Sequence, residues 1–356
     1  MKIYSILLIL VMVAAGSSCK RYEDIPGHEP PIKDKKWIVS TIAGSESGFA
    51  DGPALSAKFN LNTDVAVASD GTIYVTDLIN SRIRKIANGE VSTLAGNGDF
   101  SIIDGTGATA TFKDPKNIAI STTGILYTTD FNDPRVRKIS PFGDCTTYAG
   151  KETVGFADGR VFTAEFGNAN SLAVDAVGNV YVSDFRNNRI RKISITGDVT
   201  TIAGSGVRGF ADGNADAAQF ASPTGIAIDQ QNNLYVLDGG NLRIRKITPA
   251  GQVSTFAGSG RSGSADGNAG TAEFSQLYDV VVDSKGNLYV SENNYIRQIT
   301  PQGTVSTIAG SRVAGYVDGE GPSARFDLPY GLGIDGNDNI YISDAVNRRI
   351  RKLSFE

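Results

Sequence analysis

A hexapeptide that returns at nearly constant spacing limits what this 356-residue chain can fold into. VSTIAG at Val39 recurs as VSTLAG at Val91, CTTYAG at Cys145, VTTIAG at Val199, VSTFAG at Val253 and VSTIAG at Val305, at intervals of 52, 54, 54, 54 and 52 residues. A period of this kind marks a repeat architecture in which each unit is one supersecondary motif and neighbours bury a shared core. Each copy is followed by a glycine-rich segment with Asp-Gly, a short Ala-x-Phe piece and three strand-like runs. In the unit that opens at Val199 these runs are 226–228, 233–237 and 243–247, short and rich in β-branched, aliphatic and aromatic residues, and 199–203 has the same style. Between the first two runs, Asn232, Gly178 and Gly286 stand in equivalent places where a tight hairpin needs positive φ. Four antiparallel strands per unit and six units predict an all-β, six-bladed β-propeller; a β-solenoid would need a much shorter repeat.

The motifs G-I-A-I-D, N-L-Y-V-x-D and N-x-R-I-R-K-I of this unit resemble the NHL repeat, and the resemblance covers about 37–356. It implies a six-bladed propeller whose blades run outward from a central strand, here the I-A-I run, to the V-S-T-I-A-G strand as the outermost. The chain begins with such an outer strand at Val39 and ends after a third strand at 349–353. Residues 39–43 are therefore expected to complete the last blade and close the ring. The repeats depart from the family in lacking histidine.

The N-terminus reads as an export signal: Lys2, an apolar run over 3–13 too short to span a bilayer, and small residues before Cys19. GSSC resembles the lipobox of bacterial lipoproteins, departing from it at Gly16, and implies lipidation of Cys19 with display as a membrane-anchored lipoprotein at the outer membrane or cell surface. Cleavage after Ala15, giving a soluble periplasmic or secreted protein, is the competing reading. The expected organisation is a signal peptide over 1–18, a polar tether over 19–36 like that of Bacteroidota-type surface lipoproteins, and the propeller over 37–356. With Cys19 lipidated no disulfide can form, and Cys145, at a position held by valine in most repeats, is expected to be a buried apolar residue.

Features present in every copy read as scaffold. The Asp-Gly aspartates 51, 104, 158, 212, 266 and 318 are expected to cap the short turn that ends in Ala-x-Phe, and the phenylalanines 59, 112, 166, 220, 274 and 326 to pack between blades. The aspartates do not follow a calcium-loop pattern with enough oxygens, so no metal or other cofactor is expected. The recurring Asp-x-x-Asn-x-Arg, as in Asp77, Asn80 and Arg82, is read as a carboxylate facing a guanidinium across a hairpin.

Function is expected where copies differ on one face. The pairs before the central strands are Thr63-Asp64, Lys116-Asn117, Asn170-Ser171, Thr224-Gly225, Tyr278-Asp279 and Tyr330-Gly331. Blade 5 departs most: its SENNYIRQI hairpin is two residues shorter and carries Glu292 for Asp and Tyr295 for Arg, which predicts a notch beside Tyr278 and Asp279. Asp64, Lys116, Asn170, Tyr278, Asp279, Glu292, Tyr295 and Tyr330 are the candidate ligand-binding residues. Aromatic faces with carboxylates suit a glycan, or a peptide or protein carrying basic groups. The single histidine, His28, lies in the tether, which denies the blades the metal ligands of the amidating lyases and any Ser-His-Asp or Cys-His catalysis. A hydrolase or lyase working through rim carboxylates such as Asp64 and Asp279 is the alternative. Formal net charge is −4, and −5 without Lys2, where a nucleic-acid binder would carry a basic excess.

Overall fold

A computed structural model describes residues 34–356; the segment 1–18 expected to be a signal peptide, Cys19 and His28 lie outside the described residues. The six repeats form six antiparallel sheets whose inner strands, Asn62–Val67, Pro115–Ile120, Ala169–Val174, Pro223–Ile228, Leu277–Val282 and Pro329–Ile334, surround one channel. Blade 4 shows the plan: Pro223–Ile228, Leu234–Asp238, Arg243–Ile247 and Gln252–Ala257 pair in sequence order. The hairpin between its first two strands turns at Asn232 with φ of 61°, as Gly178 and Gly286 do in their blades.

The ring closes through both chain ends, as the phase of the repeat requires. Trp37–Ala43 pairs with Arg349–Phe355 from Trp37 opposite Phe355 to Ala43 opposite Ile350. Lys36 and Glu356 exchange backbone hydrogen bonds of 2.6 and 2.9 Å beyond the last pair.

The V-S-T-I-A-G strand is the fourth and not the outermost. The Asp-Gly segment crosses to the next blade and adds a two-residue fifth strand there, as Gly52–Pro53 does on Glu90–Ala95; blade 5 keeps only a bridge between Gly267 and Val305. This placement corrects the capping role expected for the aspartates. The Asp51 carboxylate accepts Arg84 Nη2 at 2.5 Å and the Thr93 N–H at 3.1 Å, so it fastens the edge strand it runs along. The ion pair across the second hairpin is likewise shifted: Asp77 bonds Arg84 at 2.6 Å, while Arg82 donates to the carbonyls of Asn80 and Asn97 and stacks over Phe49 at 4.0 Å. Arg84 is fully buried, its guanidinium 4.8 Å from the Phe49 ring and 5.1 Å from Phe59. A delocalised planar cation suits such a slot, with two carboxylates at its edge and aromatic faces above and below. The same pairs recur as Asp184–Arg191, Asp238–Arg245 and Asp344–Arg351. Phe59 sits in a core shared with Ala43 and Ile350 of blade 6, so the repeated phenylalanines do pack between blades.

Blade 2 is the exception. Where blades 1, 3, 4 and 6 place Ser81, Asn188, Leu242 and Arg348 at φ of 49–56°, blade 2 has Pro134, whose ring forbids positive φ. The hairpin is rerouted and Asp133, standing where Asn80 stands in blade 1, turns to grip Arg135 through two bonds of 2.7 Å. Asp130 consequently loses the Asn and Arg donors its counterparts have; Oδ1 accepts the Lys113 N–H at 2.7 Å and Oδ2, buried, has no partner. Burial pushes its carboxyl up to about 7, against the pull of Arg137. Cys145 is buried as expected, accepting from Arg137 Nη2 at 3.2 Å, and its thiol is pushed up to about 12 by burial.

Candidate functional site

The second residue of each varying pair forms a collar at one end of the channel. Asp64 Oδ2 accepts the Ile118 N–H at 2.8 Å and Asn117 Nδ2 at 2.6 Å, Asn117 Oδ1 accepts the Leu172 N–H at 2.8 Å, and Asp279 Oδ2 accepts the Leu332 N–H at 2.9 Å. In each case a side chain of one central strand binds a backbone donor of the next. Gly225 and Gly331 offer no such arm, because space forbids one: a Cβ on Gly331 would stand 2.5 Å from the Asp64 Cα. Asp64 and Asp279 thus hold blades together as well as facing the channel end.

The first residues of the pairs fill the mouth above this collar. Lys116 Nζ bonds Asn170 Oδ1, and the Tyr278 and Tyr330 rings stack with centroids 5.1 Å apart and planes at 26°. The void enclosed by Asp64, Lys116, Asn170, Tyr278, Asp279 and Tyr330 is about 10 Å³, at the limit of what one water needs. The mouth is a plug. Beneath it the channel, about 210 Å³, is walled by aliphatic residues such as Val65, Ile118, Leu172 and Ile226.

Six of the eight candidate residues therefore converge, and two do not. Glu292 is fully buried: neither asparagine of the shortened hairpin donates to it, and the longer glutamate arm reaches Arg297 at 2.6 Å and Ser275 N at 2.8 Å and occupies the scaffold role of Asp77. Tyr295 pairs with Gly310 on the outer half of blade 5, away from the plug. The opening beside Tyr278, about 360 Å³, lies toward blade 4, where Gly239 and Gly240 leave room between Phe185, Thr224 and Gln276.

A second cleft, about 340 Å³, lies on the other flank of Tyr330 and was not foreseen from sequence. Leu61, Leu78, Leu328 and Ala345 wall it, Phe131 overhangs it, and Lys116 and Tyr330 form its floor. Leu61 and Leu328 hold φ of 58° and 59°, a conformation costing about 1–3 kcal/mol in a non-glycine residue, and both face this cleft.

Burial dominates the electrostatics of the plug. It raises Asp64 well above the usual carboxylate range, with Asp279 adding to the effect, and raises Asp279 to about 7. It lowers Lys116 to about 8, against the opposing pull of Asp279 and Asp64. Tyr330 is pushed up by burial and by both carboxylates.

The NHL repeat family matches residues 220–247, which run from the buried Phe220 through the three inner strands of blade 4. Teneurin-3 of Mus musculus is 28% identical over an alignment covering 92% of this chain and 14% of its own length. Other curated relatives are also far longer: the chain spans 27% of one and 12% of another. Among solved structures, a structural genomics protein of unknown function from Bacteroides thetaiotaomicron superimposes with a TM-score of 0.70 at 24% identity, covering 90% of this chain and 76% of that one. An auxiliary nutrient binding protein from Bacteroides ovatus superimposes with a TM-score of 0.69 at 17% identity, covering 90% and 77%. At these identities the likeness speaks for the fold alone. Six sheets in a closed ring, with a repeat-family match inside one of them, make this chain a six-bladed β-propeller that carries the NHL repeat.

Proposed function

We propose that the protein is an exported binding propeller, anchored through lipid on Cys19, that takes a peptide or glycan on the face of the Tyr278–Tyr330 stack. The observation that carries this reading is the stack itself: two tyrosines over a sealed channel, each bordering a cleft of several hundred Å³. Clefts of this size with aromatic walls and few polar groups are the usual form of a small-ligand site. The collar carboxylates are engaged by backbone N–H groups, which favours a rigid receptor surface over mobile chemistry. The description of the Bacteroides ovatus neighbour as a nutrient binding protein points the same way. Titration with peptide and glycan libraries should find a ligand whose affinity falls about tenfold in Tyr278→Ala, roughly the 1.4 kcal/mol of one lost aromatic contact. An unchanged affinity would remove the stack from the site.

A second reading, hydrolysis or elimination by the collar carboxylates, draws on Asp279 being raised to about 7, a range suited to general acid–base work. Turnover that disappears in Asp279→Asn while binding persists would establish it. Anchoring is tested separately: Cys19→Ser should abolish incorporation of labelled fatty acid, and incorporation that survives would overturn the lipid.

A further inference from the structure

Lys116 is the one charged residue among the six at its position in the repeat, the others being Thr63, Asn170, Thr224, Tyr278 and Tyr330. It is only 9% exposed. An ammonium has three N–H donors. One is used by Asn170 Oδ1, and among the described residues the other two meet neither a hydrogen-bond acceptor nor an ion-pair partner. Nζ lies instead 5.5 Å from the centroid of Phe131 and 5.9 Å from that of Tyr330, the two rings that border the second cleft. A buried cation with unused donors at the floor of an apolar recess is an unfinished electrostatic arrangement. The recess, at about 340 Å³, is roughly twice the size of a cavity of ~150 Å³ that accommodates benzene.

We propose that this cleft binds a small organic acid with an apolar body, its carboxylate taking the free donors of Lys116 and its body lying against Leu61, Leu78, Leu328 and Phe131. The charge of the head group follows from the donors, because an anionic acceptor forms the strongest hydrogen bonds with an ammonium. The apolar body follows from the walls. Asp64 faces Lys116 from the adjacent central strand of blade 1, Asp279 from blade 5 across the channel, Tyr330 from blade 6, and Asp114, which accepts Asn132 Nδ2 at 2.8 Å, stands on the cleft's rim. An acid entering this group is held best when Lys116 is charged and a collar carboxyl is protonated, so binding takes up protons and weakens as pH rises past the neutral range. The inference rests on the mouth face being the ligand face and extends it to the far flank of Tyr330.

The test is calorimetric titration of the full chain with 3-phenylpropionate, 3-phenylpropionamide and 3-phenylpropylamine at pH 6.5 and 9. The acid is expected to bind more tightly than the amide or the amine by about tenfold or more, as for a hydrogen bond to a charged group, and more tightly at pH 6.5 than at 9. Lys116→Met should erase the preference for the acid, and Phe131→Ala, at an exposed position, should weaken all three compounds. An acid that binds no better than the amide, or that keeps its affinity in Lys116→Met, overturns the proposal. Tyr278→Ala separates the two readings, since its ring is not part of this cleft: peptide or glycan binding lost there with acid binding retained supports both, and acid binding retained without any effect on the larger ligands leaves only this one standing.

Discussion

Removing the charge of Asp130 should stabilise the protein at neutral and alkaline pH and do little in acid. The buried carboxyl titrates near 7 in the folded state, against 3.8 for an ordinary aspartate, because burial is uncompensated on Oδ2. A raised folded-state value means that the native state holds its proton longer than the unfolded chain, so the contribution of Asp130 is fully favourable below pH 3.8 and is lost as pH rises through 7. At 1.36 kcal/mol per pH unit, the penalty relative to the unfolded chain is on the order of 1.5 kcal/mol at pH 5 and about 4 at pH 8. In Asp130→Asn the amide oxygen can still accept the Lys113 N–H, and the new N–H donors carry a fixed penalty of about 1–3 kcal/mol if unpaired. That penalty does not depend on pH and drops out of the comparison. The stability difference between variant and parent should therefore grow by about 2–3 kcal/mol from pH 5 to pH 8, a relative shift in Tm of about 3–4 °C. Differential scanning calorimetry at five pH values would measure it. Parallel pH profiles for the two proteins would show that Asp130 is either solvated or paired, and the account of blade 2 would fail with them.

Three further outcomes follow from the scaffold. Deleting residues 39–44 removes most of the strand that closes blade 6 and should lower Tm by far more than a surface truncation, since each lost ladder bond is worth about 0.5–1.5 kcal/mol and four of the six register pairs go with it; an unchanged melting curve would refute closure by this strand. Arg84→Met leaves Asp77 buried without its cation and should destabilise by about 3–5 kcal/mol, whereas Asp77→Leu with Arg84→Met should be much milder in chemical denaturation; equal losses would mean that the pair has no buried character. Gly331→Ala should reduce stability sharply because its Cβ meets the Asp64 backbone, while Gly336→Ala, where nothing lies within 4 Å, should be neutral by the same assay.

What the sequence made legible and what it hid differ in kind. Period and phase are properties of the whole chain, so the number of blades and the partner of the first strand could be read without knowing any contact. The convergence of Lys116, Tyr278 and Tyr330 could also be read, because position before the central strand fixes position around the mouth. Side-chain partners could not. Asp51 and Arg84 are 33 residues apart, and nothing local announces that the carboxylate serves the next blade's edge rather than its own turn.

Divergence from the repeat proved to have two meanings, and only coordinates separate them. Glu292 departs from its repeat, yet Ser275 and Arg297 restore every bond the aspartate makes elsewhere, so the change leaves the blade's internal logic intact. Lys116 and Asp130 depart without such repair: unused donors and an orphaned oxygen remain. A fold with five internal templates for each position shows what a relaxed version would look like, so these residual penalties measure what stability alone does not explain. Both fall in blade 2, and Lys116 borders the apolar cleft. Local rules broken without compensation are expected where a protein meets something else, which directs attention to that flank of Tyr330 rather than to the shortened hairpin of blade 5.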